Sequence, residues 1–383
     1  LKLPEAQRIH KLVTREQQAI VDALRRLVDQ PSYSHEPEMV SKVGDLIDEL
    51  MPTSFERQVI HNDTFAPHRI YRNASTAGQR IVMAGHMDTL CPRDGQFNTL
   101  TVDGGKLRGP GVNDMKAGLI TLIWSLRVLD SLGYLAGLPV DVIVNTDEEL
   151  GSPTSSSLFC SMRDTARLAL VYECGGPAGT LVTTRKGNIR RRLRITGKAD
   201  HWGNLSGPKV SAIETLGHAI LAAEGLNRPD GSLVANVGRV AGGLAANAIA
   251  AEALLEVDCR AWEARYIDQA KVALDEIAAS PAVKGTRIGV EPMPSRPPMT
   301  PGREAMQLFD QACAVGNELG QTIIEEKRGG MSDGCFLSDS GIPTIDGFGP
   351  LGDGDFTRDE HIVTDTLFSR IELSANLLLA LAE

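Results

Sequence analysis

The chain has 383 residues, 42% of them hydrophobic, which exceeds the usual size of one compact domain and is enough to bury two cores. Its formal net charge of −10 argues against nucleic acid and anionic membrane surfaces as partners, since neither polyanion gains from meeting an acidic protein. Small molecules are the expected partners, and no stretch approaches the ~18 apolar residues of a membrane span.

The amino terminus, LKLPEAQRIHKL, lacks the apolar core of a signal peptide, so the cytoplasm is the expected compartment unless a leader has been removed. Residues 16–29 place Ile20, Leu24, Leu27 and Val28 at helical spacing before Pro31, and residues 38–50 repeat the pattern with Met39, Val43, Leu46, Ile47 and Leu50. Short, unalternating apolar runs at 81–84, 140–144, 168–172 and 343–345 predict strands buried on both faces of one parallel or mixed sheet. Between the first two, residues 115–133 predict a long helix closed by Gly133, so strand, helix and strand follow in βαβ order. From 187 to 297 the pattern changes: NIRRRLRITG, LVANVGRV and AEALLEVDCRAW alternate polar and apolar, with helices near 208–224 and 266–279. This predicts an inserted α+β domain over 187–297, with the Pro-rich 293–301 as its return linker and helices at 302–318 and 365–382 rejoining an α/β domain of residues 1–186 and 298–383. Cys91, Cys160, Cys174, Cys259, Cys313 and Cys335 lie far apart with no C-x-x-C pair and read as reduced thiols. The glycosylation triplets at Asn62, Asn73 and Asn204 are chance matches in that compartment.

The chemistry concentrates where the buried strands end. IVMAGHMDTL delivers His86 and Asp88 two residues apart, on one face of an extended segment, so that Asp88 can accept a hydrogen bond from the imidazole and fix its metal-binding tautomer. Asp114 follows a glycine-rich turn directly before the long helix, a position that an N-cap aspartate also occupies. The next strand ends in Asp147, Glu148 and Glu149, and the one after in Glu173. Each is unremarkable alone, but four consecutive strand ends that each deliver a histidine or carboxylate match the place where open α/β sheets put their sites. Such donors suit zinc, manganese or cobalt, with a neighbouring carboxylate as general base. The G-x-G-x-x-G form at 347–352 holds Pro350 and precedes no helix, so it is no dinucleotide site, and the sequence holds no P-loop motif.

The motifs HMDT, GPGVNDMKAG, NTDEELGSP, ECGGP, RKG, the H-x-G at 201–203, GGMSDG and DFTRDEHI, taken in order over nearly the whole chain, resemble the co-catalytic zinc peptidases and deacylases. That family includes glutamate carboxypeptidase, acetylornithine deacetylase and succinyl-diaminopimelate desuccinylase, and NTDEELGSP and ECGGP are most similar to the glutamate carboxypeptidase branch. The resemblance implies a catalytic α/β domain with a mostly parallel sheet and an inserted ferredoxin-like lid through which two copies dimerise. It implies that Asp114 bridges two metals, that His86 and Glu173 complete one site, that Glu149 belongs to the other, and that Glu148 is the base. Within the lid, His201 matches a histidine that stabilises the oxyanion across the dimer, although Trp202 stands where a small residue is usual. Asn247 and Arg260 match positions that bind the substrate carboxylate, and Gly330 and Ser332 would contact the substrate near the scissile bond.

One departure matters. The family's last ligand is a histidine in an H-T-x-x-E pattern, and the alignment on FTRDE puts Phe356 there, so the Asp114–Glu149 site lacks its imidazole unless Asp355 or His361 substitutes. The expectation is therefore a homodimeric hydrolase with one or two zinc ions per chain, cobalt or manganese being possible, that cuts an amide next to a carboxylate in a small substrate. An N-acyl amino acid deacylase is the near alternative; a homologue that has lost catalysis and persists as a ligand-binding protein is the distant one.

Overall fold

The computed structural model describes residues 3–74, 78–90, 95, 97–176 and 179–382. They pack as two compact units, Leu1–Thr184 with Pro301–Arg328 and Ser332–Glu383, and Arg185–Thr300 with Gly329–Met331.

The first unit opens with α1 (Leu3–Asp29) and α2 (Pro37–Leu50). The first helix starts well before the expected residue 16, because Ile9, Leu12 and Val13 continue its buried stripe and Pro4 sits in the first turn, where a missing N–H costs nothing. Two strands that the sequence pattern did not single out follow, β1 (Phe55–Ile60) and β2 (His68–Asn73), antiparallel to each other. FERQVI has no buried residue and HRIYRN is polar, so neither shows an apolar run. Then come β3 (Arg80–His86), α3 (Ala117–Ser131), β4 (Val140–Asn145) and β5 (Ala166–Val171).

The second unit is an antiparallel sheet of β6 (Gly187–Thr196), β7 (Leu233–Gly242), β8 (Glu252–Ala261) and β9 (Arg287–Pro292), with α4 (Ala212–Glu224) after β6 and α5 (Ala264–Ala279) after β8. Its strand order, β7-β8-β6-β9, is that of a ferredoxin-like sheet. Leu193, Ile195, Leu255 and Val257 form its core with Ala219 and Leu274 of the helices. On the sheet Arg190 pairs with Asp258, and Arg192 with Glu256 at 2.7 Å, so these arginines form a cross-strand ion-paired surface.

The chain returns to the first unit through α6 (Arg303–Glu318), β10 (Thr344–Ile345) and α7 (Thr364–Leu381), completing a six-stranded sheet of order β1-β2-β4-β3-β5-β10. The pairs β4–β3, β3–β5 and β5–β10 are parallel. β3 lies between two parallel neighbours and is apolar without alternation because both its faces are covered; Val82, Met83 and Ala84 are fully buried. Against this sheet α3 is buried almost all round, as its uniformly apolar sequence requires. A Cβ at Gly118, in the first turn of α3, would lie 1.9 Å from the Tyr172 carbonyl oxygen, so only glycine lets the helix approach the end of β5. Gly118→Ala is expected to cost about 1–3 kcal/mol by overpacking, read as a lowered midpoint of thermal unfolding; an unchanged midpoint would contradict this packing.

Cys160, Cys174, Cys259, Cys313 and Cys335 are free thiols, while Cys91 lies outside the described residues. Among the described residues no helix is long and apolar enough to cross a membrane.

Candidate active site

The parallel strands β4, β3 and β5 end side by side, with His86, the last residue of β3, in register with Asn145, the last of β4. Asp114 enters from the turn Val112–Lys116 that leads into α3, and Glu173 stands two residues beyond β5. His86 Nε2 lies 3.0 Å from Asp114 Oδ1 and 3.6 Å from Glu173 Oε1. One ligand atom from each of these three residues falls within 4.8 Å of the others, and the described residues hold no second such group of histidines, cysteines or carboxylates.

The other ring nitrogen of His86 is 2.9 Å from the main-chain oxygen of Asp88 and 3.4 Å from its carboxylate. The carbonyl therefore orients the imidazole more closely than the side chain expected from the sequence. The Asp88 carboxylate, fully buried, accepts the Ser34 hydroxyl at 2.8 Å and the main-chain N–H groups of Glu148 and Glu149 at 3.2 and 3.3 Å. It thus caps the short 3-10 turn Glu148–Leu150 that presents both glutamates.

Burial would lower the His86 imidazole, but hydrogen bonds that it donates to Asp114 and Asp88 and the charges of Glu173 and Glu148 together hold it well above the usual histidine range. Burial raises the Glu149 and Glu173 carboxyls, and the Asp114 charge raises both further. Oε1 of Glu149 is buried with no hydrogen-bond partner. Several mutually repelling buried carboxylates, one imidazole and an orphaned acceptor are the donor set that a divalent cation satisfies, and nitrogen with carboxylate oxygen suits zinc, cobalt or manganese.

The two candidates for the missing imidazole differ in placement. Asp355 accepts a hydrogen bond from Asn113 Nδ2 at 2.6 Å, and burial raises its carboxyl, with the Asp114 charge adding to the shift. His361 stays outside the His86 group, and its Nδ1 lies 2.8 Å from the Asp359 main-chain oxygen. Phe356 is 48% exposed with φ 63, so its ring is no part of a buried cluster.

Sequence reasoning missed Glu360. Its carboxylate, 0% exposed, accepts the main-chain N–H groups of Gly111, Asn113 and Asp114 at 2.9, 2.9 and 3.1 Å, and so fixes the turn that carries Asp114. Burial pushes this carboxyl up to about 7 against those three donors. The only signal was its place as the acid of the H-T-x-x-E pattern. Glu360→Ala leaves three buried N–H groups unsatisfied and is expected to weaken metal binding about 10–100-fold, read by metal titration; unchanged affinity would refute this support.

Ser332, expected to contact the substrate, has its hydroxyl turned inward. It is fully buried and donates to Asp346 Oδ2 at 2.5 Å, the acceptor that its loop places beneath it. In the second unit, Gly330 is exposed and its carbonyl accepts Arg185 Nη1 at 3.1 Å. There also Arg260 is partly exposed and paired with Asp258 at 3.0 Å, and His201 and Asn247 are exposed, with the Asn247 carbonyl accepting the Trp202 N–H at 3.0 Å.

Residues 82–380 match the model described as Peptidase family M20/M25/M40. Carboxypeptidase G2 of Pseudomonas sp. (strain RS-16) is 26% identical over 380 residues, which cover 97% of this chain and 92% of that protein. Acetylornithine deacetylase of Shigella sonnei is 28% identical over 220 residues, 52% of this chain and 55% of that one. Among solved structures, a protein of Bacillus subtilis described as a dinuclear metal binding peptidase shares the fold with a TM-score of 0.68 at 15% identity, covering 96% of this chain and 99% of that one.

Proposed function

The chain belongs to Peptidase family M20/M25/M40, and from that membership we propose that it is a zinc-dependent hydrolase of an amide bond next to a carboxylate in a small substrate, of the glutamate carboxypeptidase kind. The observation that carries the proposal is the convergence of His86, Asp114 and Glu173, with Glu148 on the adjoining turn. His86, Asp114 and Glu173 would hold one metal, and Glu149 would serve a second beside Asp114, with Asp355 or His361 taking the role left open at Phe356. Bound there, a divalent metal supplies Lewis-acid polarisation of the amide carbonyl and makes water easier to deprotonate.

Glu148 takes the proton from the attacking water and returns it to the departing amine nitrogen, the two transfers that amide cleavage needs at neutral pH. Its side chain is only 7% exposed, so the proton is kept from bulk solvent. Asp88 sets the imidazole of His86 and the turn of Glu148 at once. In the lid, Arg260 and Asn247 bind the substrate carboxylate, the planar guanidinium matching its two oxygens, and His201 stabilises the developing oxyanion.

Two copies associate through the second unit, where edge strand β7 and helix α4 leave Val240, Leu221, Ile213 and the nearby Leu244 exposed; sedimentation of a single-chain mass would refute this. The cytoplasm is the proposed compartment, and fractionation checks it. The acetylornithine deacetylase match favours an N-acyl amino acid deacylase as the second reading. Initial rates on N-acylglutamates and on N-acetylornithine decide between them. The carboxypeptidase reading expects the higher kcat/KM with glutamate as the leaving amine, and preference for N-acetylornithine would overturn it in favour of the deacylase.

A further inference from the structure

We propose that Asp333 is a positioning residue that sets the Glu148–Glu149 turn, a proposal that rests on the reading of Glu148 as the base. Asp333 lies in GGMSDG, 181 residues beyond Ser152, and is 3% exposed. One carboxylate oxygen accepts the Ser152 hydroxyl, and the other accepts Asn145 Nδ2 at 2.7 Å. Asn145 is the last residue of β4, before the turn; Ser152 is the first residue past Gly151, after it. A single buried carboxylate therefore ties the entry of the turn to its exit.

The exit is the part that needs holding. Gly151 has φ 93 and Ser152 φ 54, so two successive residues sit in the left-handed region, which a serine adopts only when its surroundings impose it. Ser152 is fully buried; its N–H donates to the Asp147 main-chain oxygen at 2.8 Å and its hydroxyl to Asp333. The Asp147 carboxylate accepts the Thr154 N–H and hydroxyl, both at 2.7 Å, and the Ser155 hydroxyl at 2.6 Å. With Asp88 holding the N–H groups of Glu148 and Glu149, the turn hangs between three buried carboxylates, of which Asp333 alone comes from the returning part of the chain. A small rotation at Ser152 would move both glutamates, and misplacement by about 1 Å can cost about 10²-fold in rate.

The test uses Asp333→Asn, which keeps the size of the side chain but turns an NH₂ group toward one of its two donors, together with Ser152→Ala and the double variant. Asp333→Asn is expected to lower kcat about 10²-fold with KM within about 3-fold, and amide exchange is expected to quicken at Glu149–Ser152 and not in β3. The double variant should be no slower than Asp333→Asn alone, since the Ser152 contact is shared by both changes. Wild-type kcat in Asp333→Asn, losses that multiply in the double variant, or unaltered exchange in the turn would each overturn the proposal. If Asp333→Asn fails to fold, Ser152→Ala carries the same kcat and exchange comparison. Should the wild-type protein hydrolyse no N-acyl amino acid, the base reading of Glu148 falls separately; exchange then decides whether Asp333 sets the turn, faster exchange confined to it supporting the role and unchanged exchange ending it.

Discussion

Glu148→Gln is expected to lower kcat by about 10²–10⁴-fold while the protein stays folded and keeps its metal, because that is the range a positioned proton-transfer group contributes. Glutamine has the same shape, so the Asp88 carboxylate still caps the turn through the main-chain N–H groups of residues 148 and 149. What the variant loses is the basic oxygen, and the attacking water and the leaving nitrogen then have no partner for their proton. KM should move little, since the loss falls on the transition state. Steady-state kinetics beside elemental analysis of the same preparation read both parts. Turnover within a few-fold of wild type would remove Glu148 from the mechanism, and loss of metal together with turnover would reassign it as a ligand.

His86→Ala is expected to abolish both metal binding at this centre and turnover. The imidazole is the one nitrogen donor in the group, is 1% exposed, and lies within 3.6 Å of both partner carboxylates. Without it Asp114 and Glu173 face one another with no imidazole between them, and repulsion adds to the lost ligand. Supporting residues of metal sites are worth about 10–100-fold in affinity, so loss of a direct ligand should exceed that range. Calorimetric zinc titration checks it; wild-type affinity in His86→Ala would show that the three residues do not form the metal site.

The strand ends that carry the site were legible in the sequence because the strands that lead to them are buried on both faces and therefore apolar without a break, as in residues 81–84 and 140–144. The alternating strands of residues 187–261 were legible because one face of that sheet is wet. β1 and β2 were not, since their residues are mostly exposed or polar and they lie at one edge of the sheet. Within the site the limits are those of long-range pairing. The support of Asp114 by Glu360 spans 246 residues, and the burial of the Ser332 hydroxyl on Asp346 depends on how a loop folds back, so neither leaves a local pattern. The His86–Asp88 spacing pointed to the right pair of residues, but whether the carbonyl or the carboxylate meets the imidazole is decided by the turn between them.

The central claim is metal-dependent amide hydrolysis at the His86–Asp114–Glu173 centre. Its most direct test is turnover of an N-acylglutamate before chelation, after removal of metal with a chelator, and after zinc is restored, with metal per chain measured at each stage. The expected result is activity that disappears with the metal and returns in proportion to the zinc taken up. Activity that survives in protein free of metal, or zinc uptake without any return of activity across N-acyl amino acids, would contradict the account.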